Sequence, residues 1–274
     1  MNRRWLIGMV VGMAVTLCVP AHAIVLRYTP KVGEVHKQKA TFAGRMQTSV
    51  EGMGELMRME MTLEMEYSER ALSQTDAVTR VQTDLTRGTL TLTMGGQSQP
   101  RDLGVGKTVL DLDRQGNVVK IVEMDMPEAE QIMGPGAESW SFDIPFPEGD
   151  IAVNGTWSGT MTIPIGRDTP PIRLPYECTL LGLTTFQGRN CAKIRATFKG
   201  PFDMDLSGVE GIGADAEGPM NATMEGDLVY YYDYDNSVDV YGEGTVGMDM
   251  SMSMAELGAV TMKMLMNIKT ALQP

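Results

Sequence analysis

Between Met57 and Tyr67 every odd position is apolar and every even position is polar: Met-Arg-Met-Glu-Met-Thr-Leu-Glu-Met-Glu-Tyr. Only a β-strand, with its period of two, sends these side chains to separate faces. The alternation recurs at Met248, Met250, Met252 and Met254, and again at Met262, Met264, Met266 and Ile268. Glu256-Leu257-Gly258-Ala259 separates those two runs, which predicts one long hairpin. Further strands are predicted at 33–46, 77–87, 88–95, 105–112, 117–123, 153–165 and 224–234. Strands this long must coil. The expected fold is all-β: long, coiled antiparallel strands in two related lobes or one large half-barrel, with little helix.

Three segment pairs align in order. Gly33-Glu34-Val35 matches Gly155-Thr156-Trp157, Asp76–Val81 matches Arg189–Ile194, and Asp113–Val118 matches Asp233–Val238. This predicts a β lobe over 24–126, a linker over 127–147 with room for two helical turns from Pro127 to Met133, and a second lobe over 148–274. Ser207 to Pro219, Gly-rich and acidic, reads as a loop.

The first 23 residues have the form of a secretory signal peptide cleaved after Ala23: basic Asn2-Arg3-Arg4, an uncharged run from Trp5 to Val19, then Pro-Ala-His-Ala. The run is short of the roughly 20 residues that span a bilayer. The mature chain is therefore expected outside the cytoplasm, periplasmic or extracellular, with no transmembrane segment. The formal charge of −12 becomes −14 once Arg3 and Arg4 leave with the leader. That charge opposes nucleic acid and anionic lipid headgroups as partners.

Cys178 and Cys191 remain after processing. A two-residue turn at Gly188-Arg189 would set Cys191 opposite Phe186 and Cys178 opposite Lys199. The thiols would then lie roughly 26 Å apart, too far for a disulfide, so two buried free thiols are predicted.

Leu26–Glu34, Asn154–Trp157, Leu181-Gly182, Gly188 and Cys191–Ile194 resemble blocks of uncharacterised bacterial exported β-rich proteins, a domain of unknown function. The curved-sheet pattern also resembles the half-barrels of the LolA and LolB lipoprotein carriers. The first resemblance implies no activity, and the second implies an apolar cavity for acyl chains.

No catalytic constellation emerges. His36 is the one histidine after the leader, and Val35-His36-Lys37-Gln38-Lys39 places it among solvated residues. A nucleophile elbow is lacking, and Gly104-Val105-Gly106-Lys107-Thr108 has Arg101 where a phosphate loop needs glycine. Asp111, Asp113 and Asn117, and Asp233, Asp235 and Asn236, hold oxygens that suit calcium, and β-turns explain both clusters equally well. No cofactor or metal is expected, and the chain is not expected to be an enzyme.

The methionines are the sharpest feature. Of 24, three (Met1, Met9, Met13) belong to the leader, leaving 21. Thioether side chains fill irregular cores, and they also make adaptable binding surfaces or bind Cu(I). The leading expectation is an exported envelope protein that binds a lipid or lipoprotein acyl chain on a concave methionine face. Met57, Met59, Met61, Met65, Met250, Met252, Met264 and Met266 would line that face. The alternative is a structural or protein-interaction module of the envelope, with a protein partner and no small ligand.

Overall fold

The computed structural model describes residues 23–125, 144–163, 172–204, 220–254 and 258–274. The leader up to residue 22, the expected helical turns at 127–133 and the loop at 207–219 lie outside these residues. The described residues form fourteen strands and no helix. β1 (Ala23–Val25), β2 (Val35–Val50), β3 (Gly54–Gln74) and β4 (Thr79–Met94) are followed by β5 (Gln97–Asp102), β6 (Gly106–Leu112) and β7 (Val118–Asp125). After them come β8 (Asp150–Ala152), β9 (Thr156–Ile163), β10 (Ile172–Phe186), β11 (Arg189–Met204), β12 (Met220–Asp233), β13 (Val238–Met254) and β14 (Gly258–Leu272).

Twelve of these strands make one antiparallel sheet that does not close into a barrel. Its order is β7-β6-β4-β3-β2-β14-β13-β12-β11-β10-β9, with β5 folded beside β4. The order β7-β6-β4-β3-β2 is followed across the sheet by β13-β12-β11-β10-β9 in the same sense, and β14 stands between the two groups. β14 pairs with β13 on one edge and with β2 on the other, from Val260↔Val50 to Leu272↔Gln38. Both halves of the chain therefore share one sheet. β1 and β8 form a separate two-stranded ribbon.

Two extended segments strap the inner face at one end, where the short turns lie. The Tyr28 amide donates to the Arg114 carbonyl, and the Phe146 amide donates to that of Gln115, each at 2.8 Å. Both acceptors belong to the β6–β7 turn. On the far flank, Trp157 Nε1 of β9 and the Tyr176 hydroxyl of β10 donate to the Pro145 carbonyl at 2.9 and 3.3 Å. One short segment thus touches both flanks of an eleven-strand path, which requires the sheet to curl around it. Leu26, Ile144 and Phe146 from the straps join the core formed by Phe42, Leu63, Leu90, Ile194 and Ile268 of the sheet. The outer face carries charge pairs between strands, among them Arg195 with Asp227 at 2.6 Å and Lys199 with Glu225 at 2.7 Å.

Several strand expectations need correction. Segments 77–87 and 88–95 are one strand, β4. Gly88 does not end it; a Cβ there would meet Leu103 side-chain atoms at 2.9–3.4 Å, so the glycine makes room for Leu103. β5 was missed because it is exposed along its whole length and contains Pro100, as an edge strand tolerates. The β10–β11 turn is Gln187-Gly188, where φ is positive at both residues (49° and 77°), as a tight two-residue hairpin requires. Phe186 therefore faces Arg189, and Cys191 faces Thr184. A register shift between Leu180 and Gly182 then sets Cys178 opposite Ala196. Both thiols are free and fully buried.

His36 is also corrected. It is buried, because even positions of β2 point inward with Gln38, Ala40 and Phe42. The lysines around it take the other face.

Candidate functional site

The register aligns methionines that sequence spacing alone cannot relate. Met94 of β4 lies opposite Met59 of β3, and Met59 lies opposite Met46 of β2. Met46 faces Met264 of β14, Met264 faces Met248 of β13, and Met248 faces Met224 of β12. Six methionines on six adjacent strands form a single row across the inner face. With strands ~4.8 Å apart the row runs roughly 24 Å, comparable with an extended long acyl chain.

Exposure changes along the row. Met224 and Met248 are buried in the main core. Met264, Met46 and Met59 are half-buried, and Met94 at the β4 end is 54% exposed. The row is thus core at one end and accessible apolar surface at the other. It lies toward the sheet end away from the straps.

All eight methionines expected to line the site fall on this inner face, in different rows. Met59 and Met264 belong to the six-member row. Met61 and Met266 flank Gly44 in the next row toward the straps. A Cβ on Gly44 would stand 2.8 Å from the Met266 Cγ, so the missing side chain lets Met266 lie across β2. Met57 and Met250 lie one row the other way, linked through Thr48 and Met262. Met65 sits three rows toward the straps from Met59, opposite Ala40. Met266, 1% exposed, and Met252, packed with Val50 and Val260, are core residues. The half-buried members are Met57, Met59, Met61, Met65, Met250 and Met264.

Met46, Met94, Met224 and Met248 complete the row and were not among the expected lining residues. Met46 and Met248 fit their strands' alternation, but their partners depend on register, which alternation leaves free.

In the acidic clusters Asp113 and Asp233 each cap a turn, while Asp111 pairs with Arg80. Asp113 Oδ1 accepts the Gln115 and Asn117 amides at 2.8 and 2.9 Å. Asp233 Oδ1 accepts those of Asp235 and Asn236 at 3.0 and 3.1 Å. Each second oxygen takes an asparagine side-chain amide, Asn117 or Asn236, at 2.8 Å. Asp233 also accepts Arg189 at 2.9 Å.

No protein-family profile matches the sequence, and no curated protein matches it. Solved structures give distant similarities, those named here with TM-scores under 0.5. One, described under lipid–protein interactions in lipovitellin, gives a TM-score of 0.48 at 10% identity over 90% of this chain. This chain spans 25% of the lipovitellin chain. DynF, from the dynemicin biosynthesis pathway of Micromonospora chersina, gives 0.25 at 11% identity, with 93% of this chain and 88% of that one covered. A DUF1329 family protein from Desulfovibrio piger gives 0.17 at 8% identity, with 84% of each chain covered. At such scores these likenesses carry nothing about function.

No helix among the described residues is long and apolar enough to cross a membrane.

Proposed function

We propose that this chain is a non-enzymatic binding protein of the bacterial envelope, exported to the periplasm or beyond. It takes an apolar ligand, a lipid or a lipoprotein acyl chain, along the methionine row. The observation that carries the reading is the row itself: Met94, Met59, Met46, Met264, Met248 and Met224 continuous across six strands, passing from surface into core. A packed core has no need of an exposed end, and an isolated exposed methionine has no continuity with the interior. Flexible thioethers can repack around chains of different length, which suits a ligand recognised by apolarity. Export rests on the leader-like first 23 residues.

The test is uptake of a fluorescent fatty acid, with native mass spectrometry of the full chain after incubation with envelope lipid extract. Wild type should bind saturably and gain lipid mass. Met59→Lys with Met61→Lys, still folded by circular dichroism, should weaken uptake about tenfold or more, since a lysine head resists apolar surroundings. Unchanged uptake by the folded double variant would move the ligand elsewhere.

One observation favours a second reading, a protein-interaction module. β7 is an edge of the described sheet, and it exposes Val118, Val119, Ile121 and Val122, with Val119 at 59%. An apolar open edge invites a further strand. Concentration-dependent association that Val119→Lys abolishes, in a protein that takes up no lipid, would favour it.

A further inference from the structure

At the strapped end of the inner face lies a second site, a cavity of about 110 Å³ between the straps and β12–β13. Tyr28, Phe146, Tyr230 and Tyr232 line it together with the acidic residues Glu69 and Asp239. Among the described lining residues there is no lysine or arginine. Two of the tyrosines have partners. Tyr28 donates to Glu69 Oε1 at 2.6 Å, and Tyr232 donates to the Arg27 carbonyl at 2.6 Å while its ring packs on Phe146 at 4.5 Å.

Tyr230 does not. Its hydroxyl oxygen is buried and meets no hydrogen-bond partner among the described residues. Leaving a buried polar group this way is unfavourable, and buried polar atoms are normally satisfied. A ligand group that donates to this oxygen, or accepts from it, would satisfy the hydroxyl.

The chemistry around the gap favours a cation. Aromatic faces and carboxylates both attract positive charge, more strongly out of bulk water. Burial is the main reason both Tyr230 and Tyr232 resist ionisation; Cys178 and then Asp239 add to it at Tyr230, and Asp239 adds to it at Tyr232 against the Ser237 hydrogen bond. Glu69 adds to it at Tyr232. A quaternary ammonium would satisfy the charge and leave the Tyr230 oxygen unmet. An ammonium that carries N–H groups satisfies both.

We propose that this cavity binds the ammonium group of a small protonated primary or secondary amine, with one N–H donated to the Tyr230 oxygen and the charge held by Asp239 and Glu69 between aromatic rings. The site is independent of the methionine row. The Tyr230 and Met264 rows are six residues apart along the strands, roughly 20 Å.

The full chain would be titrated calorimetrically near neutral pH with n-butylammonium, n-butanol, tetramethylammonium and acetate. Saturable binding of n-butylammonium is expected, with butanol weaker by about tenfold, the factor that a charge-assisted hydrogen bond of about 1.5 kcal/mol supplies. Tyr230→Phe should weaken n-butylammonium severalfold and leave tetramethylammonium unchanged. Asp239→Asn should weaken both cations, and Glu69→Gln supplies the same test if the first variant misfolds. The proposal is overturned if n-butylammonium shows no saturable binding, which would leave water as the occupant. It is equally overturned if butanol binds as well, or if folded Asp239→Asn and Glu69→Gln bind like wild type.

Discussion

Gly226 of β12 lies directly beneath the ring of Phe198 on β11, its register partner. A Cβ at residue 226 would meet three carbons of that ring inside 3.0 Å. The ring is buried among the core residues and cannot swing clear. Gly226→Ala should therefore destabilise the protein by about 1–3 kcal/mol through overpacking. Urea denaturation measures it, and a cost below about 0.5 kcal/mol would mean that Phe198 is free to move.

The methionine face should show its exposure gradient as a stability gradient. Met266→Ala, one row inward at 1% exposure, should cost about 2–5 kcal/mol. Met94→Ala, at 54% exposure, should stay within about 0.5 kcal/mol. Comparable costs at the two positions would mean that Met94 is covered.

How much of this was legible in the sequence follows from the same residues. Alternation assigned faces correctly: Met57, Met59, Met61 and Met65 do point inward with Met250, Met252, Met264 and Met266. It left register open, so the partnership of Met59 with Met46, and of Met46 with Met264, required the structure. It also misled at His36, whose lysine neighbours belong to the opposite face of β2. The straps at Leu26–Pro30 and Ile144–Phe146 left no periodic signal, because their hydrogen bonds go to turns and side chains of distant elements.

Cys178 and Cys191 should be silent to thiol reagents in the folded state. Burial, with a smaller contribution from Glu177, pushes the Cys178 thiol up to about 12, and burial raises Cys191 as well. Reaction needs the thiolate. In the chain without its first 23 residues, Ellman's reagent at pH 8 should count no thiols natively and both after denaturation; a fast native reaction would contradict the packing.

Asp233 should matter more than its counterpart Asp113. Burial raises its carboxyl, but the Asn236 and Arg189 side chains and the Asn236 and Asp235 amides together hold it below the usual carboxylate value of 3.8. A lowered acid stabilises the fold above its unfolded value and loses that contribution as pH falls through the folded one. Asp233→Ala should cost about 1–3 kcal/mol near pH 7, since it strands the Asp235 and Asn236 amides that its carboxylate satisfies. The gap to wild type should narrow below about pH 4. A gap constant down to pH 2 would show that the charge is irrelevant.

His36 gives the opposite ionisation on a nearby strand. Burial lowers it from 6.5, against the pull of Glu34. The unfolded chain then takes up the proton first, so stability falls as pH drops below 6.5. The slope cannot exceed about 1.4 kcal/mol per pH unit for one proton. Thermal melts of wild type and His36→Gln between pH 7.5 and 5 should differ by this slope, and parallel profiles would refute the buried neutral histidine.

The placement of β14 has a kinetic consequence. Each of its pairs with β2 joins residues more than two hundred positions apart. Loop closure over that distance is slow, and contacts so remote in sequence delay folding. The hairpins of either half can zip locally, but the seam between them must wait until the last strand emerges. Until then β2 and β13 each present an open edge, and one inserted strand later closes both.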